Sequence, residues 1–127
     1  MKNKGVYIFW GVLILLIAGG FGWNIYQKFA PSKLDGFAQC LSDKGVKMYG
    51  AFWCPHCQAT KKMFGSAASK LPYIECSTPD GQNQTQVCID AKVTQYPTWT
   101  HTSDDTRLSG ERTLKELSDF SGCTLPE

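Results

Sequence analysis

The stretch Met48-Tyr49-Gly50-Ala51-Phe52-Trp53-Cys54-Pro55-His56-Cys57 decides how this chain is interpreted. Its apolar first half predicts a buried strand over residues 46–52, and the Cys-x-x-Cys behind it predicts the start of a helix that runs to about residue 69. Two cysteines at this spacing either close a disulfide or ligate one metal ion. The preceding tryptophan and the intervening Pro-His pair favour the redox interpretation.

Elements on either side extend this pattern. Apolar residues at helical spacing over 34–41 predict a helix, which Gly45 ends. Downstream, the sequence predicts a strand over 72–76, a turn over 77–81 and a short helix over 84–92. A hairpin formed by 98–101 and 106–108 follows. The last helix begins at the Thr113–Glu116 capping box and runs through Phe120. This order predicts an α/β fold in which helices flank a mixed sheet.

The N-terminal segment has a different character. No charged residue occurs between Gly5 and Gln27, and about 20 apolar residues suffice to cross a bilayer. We therefore expect a membrane anchor over residues 1–30 with 6–26 spanning, a linker over 31–33 and a folded domain over 34–127. The alternative is a cleaved signal peptide, for which Ala18-Gly19-Gly20 offers a weak cleavage site.

Charge and cysteine content indicate the compartment. Lys2 and Lys4 precede the apolar segment and Lys28 and Lys33 follow it, which mildly favours an extracytoplasmic domain. Six cysteines, none of them in the apolar segment, fit an oxidising compartment. The net charge is +2, and beyond residue 30 ten basic side chains oppose eleven acidic ones, so no basic patch indicates nucleic-acid binding.

A second motif, Tyr96-Pro97-Thr98, lies about forty residues beyond the cysteines. Peptide bonds before proline are the ones that adopt cis geometry, so the Tyr96–Pro97 bond is chemically able to do so. An ordinary trans turn is the alternative. Two tryptophans, Trp53 and Trp99, either shape a groove beside the sulfurs or belong to the core.

These motifs together resemble the thioredoxin fold. The closer resemblance is to the thioredoxin-like domain found fused to, or working beside, bacterial and plant-plastid homologues of vitamin K epoxide reductase. The residues that carry it are 48–57, Glu75-Cys76, Val87-Cys88 and Tyr96-Pro97-Thr98-Trp99. The resemblance covers roughly residues 34–123 and not the apolar segment, so we expect the quinone-reducing membrane core on a separate protein.

The fold implies distinct roles for the residues of the Cys-x-x-Cys motif. Cys54 is the nucleophile, because unpaired N–H groups and the helix dipole stabilise a thiolate at a helix N-terminus. Cys57, one turn further and more buried, is the resolving thiol. Pro55 suits the first helical turn. His56 stabilises the thiolate as a donor or a positive charge, unless it is only a solvated cap residue.

The resemblance also assigns the second motif. It implies that Pro97 is cis and faces the cysteines, and that the neighbouring loop pairs with an extended substrate strand. It places Trp53, Pro55, Tyr96 and Thr98 against substrate. No cofactor is required, since the electrons reside in the cysteines.

Two features bear on the direction of electron flow. A Pro-His pair resembles the strongly oxidising periplasmic thiol oxidases, whose potential is near about −120 mV against about −270 mV for thioredoxin. Met48 stands six residues before Cys54, where thioredoxin has a buried acid that helps deprotonate the resolving thiol. Both departures favour an oxidase over a reductase.

Four cysteines remain outside the motif, and four allow three pairings. The resemblance supports Cys40–Cys123, which clamps the ends of the domain, and Cys76–Cys88, which closes a short loop. Both are expected to be structural. A second redox pair at Cys76–Cys88 that relays electrons is the alternative.

The leading hypothesis is a single-pass membrane thiol:disulfide oxidoreductase in the bacterial inner membrane, with its domain in the periplasm or an equivalent space such as the thylakoid lumen. It would oxidise cysteines of substrate proteins and pass electrons to a vitamin K epoxide reductase-like membrane protein. A disulfide reductase is the alternative within the class. A metal-binding module and a non-catalytic anchored interaction module are the alternatives outside it, and we expect no metal.

Overall fold

The structure is a computed structural model that describes residues 3–127. Lys2, one of the N-terminal charges used to orient the apolar segment, lies outside the described residues. The chain divides into two compact units, and the division falls between Pro31 and Ser32.

The first unit is one long helix, α1, which spans Lys4–Phe29. Its most apolar 18-residue window has a mean hydropathy of 2.0, and none of its residues is buried. By length and composition the helix is able to cross a membrane, although a signal sequence near an N-terminus satisfies the same test.

The second unit alternates helices and strands in the predicted order. Its elements are α2 (Asp35–Asp43), β1 (Val46–Gly50), α3 (Pro55–Phe64), a 3-10 helix (Gly65–Lys70), β2 (Tyr73–Glu75), α4 (Gln86–Asp90), β3 (Thr98–His101), β4 (Arg107–Ser109) and α5 (Leu114–Ser121).

The strands form one mixed sheet. Within residues 3–127 it has four strands in the order β2-β1-β3-β4. Strand β1 runs parallel to β2 and antiparallel to β3, and β3 pairs antiparallel with β4. The prediction of a mixed sheet flanked by helices is confirmed, and β1, which ends at the cysteine motif, occupies a central position.

Side chains of β1 enter two apolar clusters because successive residues of a strand point to opposite faces. Val46 and Met48 belong to the larger cluster, whereas Tyr49 belongs to a smaller one. The larger cluster also includes buried residues of the helices and of β3: Phe37, Leu41, Phe64, Trp99 and Leu117. The smaller one includes Cys76, Cys88 and Val93. Strand β1 is therefore covered on both faces of the sheet, and the larger cluster also contains Cys54 and Cys57.

Some element boundaries differ from the prediction. The helix after the cysteines ends at Phe64 instead of about residue 69, because Gly65 adopts a φ of +57°, which side-chain-bearing residues disfavour, and the chain continues as a 3-10 helix. Strand β1 ends at Gly50, two residues earlier than predicted. At the last helix the predicted capping box is present, with Thr113 Oγ1 accepting from the Glu116 N–H.

Candidate active site

The two cysteines of the motif lie at the start of α3. Cys54 is the N-cap residue with an extended backbone (φ −76°, ψ 120°), and Pro55 is the first helical residue. A proline is favoured there because that N–H has no helical partner to lose. The Cys54 N–H donates to the Ala51 carbonyl (3.0 Å), which closes the turn between strand and helix.

Cys54 and Cys57 are free thiols in this structure, and both are buried. Cys54 is 5% exposed and Cys57 is 1% exposed. Burial raises the pKa of Cys57 to about 12; the backbone of Ala51 opposes this rise by a hydrogen bond, and the neighbouring Cys54 adds to it. The second thiol is thus held in its protonated form near neutral pH.

The Tyr96–Pro97 peptide bond is cis, and its loop faces the cysteines. The Tyr96 carbonyl oxygen lies 3.8 Å from Cys54 Sγ and accepts a weak hydrogen bond from the thiol. The ring of Pro97 is fully buried, and the Pro97 carbonyl accepts from the Gly110 N–H (2.7 Å). These contacts hold a loop that is distant in sequence against the first cysteine.

The two tryptophans have different environments. Trp53 is 50% exposed, its Nε1 donates to Ser77 Oγ (2.9 Å), and its ring meets the Tyr96 ring edge-on with 6.0 Å between centroids. Phe52 beside it is 49% exposed. Trp99 is completely buried on β3. Trp53 therefore belongs to an apolar surface next to Cys54, whereas Trp99 belongs to the core.

Two other expected site residues, His56 and Thr98, differ in their exposure to solvent. His56 is two-thirds exposed, and its Nδ1 lies 3.2 Å from Glu111 Oε2. Thr98 is buried, and its hydroxyl donates to the Gln95 carbonyl (2.7 Å). The Thr98 side chain thus braces the cis-proline loop from inside.

A group of polar residues beneath Cys57 was not found from the sequence. Tyr73 on β2 lies beside the second thiol, Glu75 accepts a hydrogen bond from the Tyr73 hydroxyl, and Lys61 on α3 lies over the Tyr73 ring. One signal was available for Lys61, which follows Cys57 by four residues and so shares its helix face. Glu111, the partner of His56, had no local signal.

The other four cysteines form two disulfides. Cys40 is bonded to Cys123 across 83 residues, and Cys76 is bonded to Cys88 across 12. These are the pairs that the resemblance supports. Among residues 3–127, no group of three or more His, Cys, Asp or Glu side chains is arranged to hold a metal ion.

A mixed sheet whose central strand leads into a Cys-x-x-Cys helix, opposite a cis-proline loop, defines the thioredoxin class of proteins. Residues 32–121 match the Thioredoxin family, and the chain belongs to that family.

Two curated relatives are similar to this chain. The chain is 44% identical over 95 residues to the thiol-disulfide oxidoreductase LTO1 of Arabidopsis thaliana, an alignment that covers 71% of the chain and 24% of the relative. It is 30% identical over 111 residues to the thioredoxin domain-containing protein 5 homolog of Drosophila melanogaster, covering 74% of the chain and 26% of the relative. The chain spans about a quarter of the length of these relatives.

Proposed function

We propose that this protein is a membrane-anchored thiol:disulfide oxidoreductase that works outside the cytoplasm, with Cys54 as nucleophile and Cys57 as resolving thiol. The observation that carries the proposal is the juxtaposition of two free thiols at the start of α3 with the cis-proline loop, 3.8 Å from Cys54 Sγ to the Tyr96 carbonyl oxygen. The similarity to a thiol-disulfide oxidoreductase supports the same activity.

The reaction is an exchange of disulfide bonds. In the oxidised protein, a substrate thiolate attacks Cys54 Sγ; a bond forms between these two sulfurs, and the Cys54–Cys57 bond breaks with its electron pair on Cys57. A second substrate thiolate then attacks the substrate sulfur of this mixed disulfide and releases Cys54. The substrate leaves with a new disulfide, and the protein retains two electrons in two thiols.

The surface around Cys54 supports a protein substrate. Phe52 and Trp53 expose apolar area beside the sulfur, and the Tyr96–Pro97 loop presents backbone to an extended chain. We assign Trp53, Pro55, Tyr96 and the Thr98-braced loop to substrate binding. His56 is assigned to stabilisation of the Cys54 thiolate, with Glu111 as its partner.

The oxidising direction is supported by two residues. The positive charge that His56 can carry beside the thiolate favours the reduced form, which makes the disulfide a stronger oxidant. Met48 is fully buried at the position expected for a buried acid, so the pattern of thioredoxin reductants is absent at that residue. Reoxidation is assigned to a quinone-linked membrane protein of the vitamin K epoxide reductase type, a partner that rests on the resemblance.

The location is supported by α1 and by the disulfides. A helix of 26 residues in which 5–27 carry no charge suits a single-pass anchor, and two disulfides suit an oxidising compartment such as the periplasm or the thylakoid lumen. Fractionation of tagged full-length protein tests the anchor: recovery in the soluble fraction, with loss of residues 1–30, would instead identify a signal peptide.

The experiment that tests the activity is the reduction potential of Cys54–Cys57 in the full chain, purified in detergent and equilibrated with glutathione. A value well above the roughly −270 mV of thioredoxin supports an oxidase, and a value at or below it identifies a reductase. A pair that does not cycle would support a metal-binding or interaction module. In cells, Cys57→Ala should trap substrates as mixed disulfides, and Cys54→Ala should trap none.

A further inference from the structure

The second thiol must gain or lose a proton in every turn of the proposed exchange, and it is the more buried of the two sulfurs. Met48, six residues before Cys54, has no acidic side chain that could donate or accept this proton. The proton therefore needs another route, and the polar group beneath Cys57 offers one.

The register of the sheet brings that group under the thiol. Met48 pairs with Tyr73 and Gly50 pairs with Glu75 across the parallel β1–β2 ladder, so these four side-chain positions share one face of the sheet. This is the face on which Met48 joins the cluster that contains Cys57.

Gly50 makes close approach possible. A Cβ atom at this position would lie 2.8 Å from Cys57 Sγ, 2.8 Å from Tyr73 Cε2 and 3.4 Å from the Tyr73 hydroxyl oxygen. The thiol and the phenol thus converge on the space that any other residue would fill with its side chain. Because Gly50 has no side chain, the Tyr73 ring and the Cys57 sulfur approach each other directly at this point.

Tyr73 is connected in turn to a carboxylate. Its hydroxyl donates to Glu75 Oε2 at 2.8 Å. Glu75 Oε1 accepts from the backbone N–H groups of Ser77 (2.9 Å) and Phe52 (3.2 Å), so the carboxylate is held in place by both of its oxygens. Glu75 is only half-buried and can exchange protons with water.

A cation completes the group. Lys61 Nζ lies 3.4 Å from the centroid of the Tyr73 ring, and Lys61 is one helical turn beyond Cys57. Its charge opposes the rise in the pKa of Cys57. Burial and the bond to Glu75 hold the pKa of Tyr73 well above its usual range, so this tyrosine keeps its own proton at rest.

We propose that Tyr73 and Glu75 form a proton relay for the Cys57 thiol and that Lys61 balances the charge of the thiolate. The proposal rests on the proposed function. When a substrate thiolate opens the Cys54–Cys57 disulfide, Tyr73 gives its hydroxyl proton to the Cys57 sulfur and takes up one through Glu75 from water.

In the reverse step the same path runs backwards. The Cys57 proton passes to Tyr73 as the Tyr73 proton passes to the Glu75 carboxylate. The Cys57 thiolate then attacks Cys54 Sγ of the mixed disulfide, the Cys54–Cys57 bond forms, and the substrate thiolate leaves with the electron pair of the broken bond. Every proton and electron is accounted for without a further reactant.

The test follows the reverse step in the full chain in detergent, reduced selectively at Cys54–Cys57. Rapid mixing with an aromatic disulfide that releases a coloured thiolate gives two phases. The first is attack by Cys54 on the reagent, and the second is attack by Cys57 on the resulting mixed disulfide. The relay acts only in the second phase.

Tyr73→Phe keeps the ring beneath Lys61 and removes the hydroxyl. We expect the second phase to slow by about 100-fold, the lower end of the range for acid–base assistance, while the first phase changes by less than about twofold. The second phase should also become proportional to hydroxide concentration, because Tyr73→Phe removes the hydroxyl that links Glu75 to the thiol. With Cys54 held in the mixed disulfide, Lys61 remains as the titratable group that acts on Cys57. Glu75→Gln should slow the second phase as well.

Tyr49→Phe is the matched control, since Tyr49 lies on the adjacent strand and its side chain belongs to the other apolar cluster. It should leave both phases unchanged. A second phase that is unaltered in both Tyr73→Phe and Glu75→Gln, or slowed equally in Tyr49→Phe, overturns the relay alone. A wild-type chain that releases no coloured thiolate overturns the proposed function itself.

Discussion

The Nδ1 atom of His56 lies 3.2 Å from Oε2 of Glu111, so the histidine of the Cys-x-x-Cys motif is tied to the loop that precedes α5. Both side chains are largely exposed, and the pair joins residues 55 positions apart. Under the proposed function, this contact lets Glu111 orient the His56 imidazole that stabilises the Cys54 thiolate. This makes Glu111 a positioning residue for the proposed reaction.

Glu111→Gln should make the Cys54–Cys57 pair more reducing. The substitution removes the charge that holds the imidazolium near the thiolate, and a less stabilised thiolate disfavours the reduced form. We expect the potential to fall by at most about 20 mV, because an exposed ion pair contributes about 1 kcal/mol or less and 30 mV corresponds to about 1.4 kcal/mol. Equilibration with glutathione measures it.

Asp119→Asn is the control for this prediction, since it breaks the Lys115–Asp119 pair (2.8 Å), which lies wholly on α5. It should leave the potential unchanged. A rise in potential in Glu111→Gln would show that the carboxylate opposes the thiolate instead of supporting the histidine.

The stability of the reduced protein should fall as the pH rises above about 9. The pKa of Cys57 is about 12 in the folded chain against 9.0 for a free thiol, so the folded state binds more protons between these values. Unfolding is then favoured by at most about 1.4 kcal/mol per pH unit, and by less where solvent reaches the thiol. Thermal unfolding of Cys54→Ser in detergent, from pH 7 to 11, measures the effect.

The comparison chain carries Cys54→Ser together with Cys57→Ser. Both chains lose stability at high pH through their other groups, and only their difference belongs to Cys57. Parallel curves for the two chains would contradict the assignment of a buried, protonated thiol.

Removal of the Cys40–Cys123 disulfide should lower stability without changing the potential. The bond closes a loop of 83 residues, for which the chain-entropy model gives about 4.5 kcal/mol, against about 3 kcal/mol for the short Cys76–Cys88 loop. Thermal unfolding of Cys40→Ala/Cys123→Ala and of Cys76→Ala/Cys88→Ala compares the two losses, and glutathione equilibration follows the active pair.

The variant Cys76→Ala/Cys88→Ala also tests the alternative that the Cys76–Cys88 pair relays electrons. If this pair only stabilises the fold, the folded double variant should still be reoxidised by the proposed membrane partner. A normal potential with lost reoxidation would identify Cys76–Cys88 as an electron relay.

Trp53→Ala should weaken the use of protein substrates and spare small ones. Half of the Trp53 surface is exposed beside Cys54, and a tryptophan at the centre of an interface commonly contributes more than about 1.4 kcal/mol, or tenfold in affinity. We expect KM for a reduced, unfolded protein to rise about tenfold while the rate with glutathione disulfide is unchanged. Val87→Ala, an equally exposed apolar residue on α4, is the control.

Most of the fold follows from local patterns in the chain. Apolar spacing located α2, the capping box at Thr113 located α5, and the apolar run before the cysteines located β1. The boundaries were less predictable: α3 ends at Gly65, where a positive φ replaces the helical conformation, although the composition of 65–69 suits a helix. Backbone conformation at one glycine outweighed propensity there.

The site was predictable only in part. The residues Cys54, Cys57 and Pro97 were identified from motifs, but the environments of Trp53 and Trp99 were left open because both flank a strand end. Thr98 was expected against substrate, and the structure buries its side chain behind the loop. Alternation of apolar and polar residues cannot tell which way a side chain of a central strand points, because both faces of such a strand are covered.

The sequence by itself determined what depends on near neighbours: the spacing that places two sulfurs within one helical turn, the apolar length of α1, and the chemical ability of Tyr96–Pro97 to be cis. The tertiary structure decided what depends on distant partners. The strand order β2-β1-β3-β4 brings Tyr73, whose hydroxyl is bonded to Glu75, beside Cys57 and brings the Tyr96 carbonyl to Cys54. Such contacts arise from the register of strands and the packing of helices, which are collective properties of the whole core and not of any local pattern.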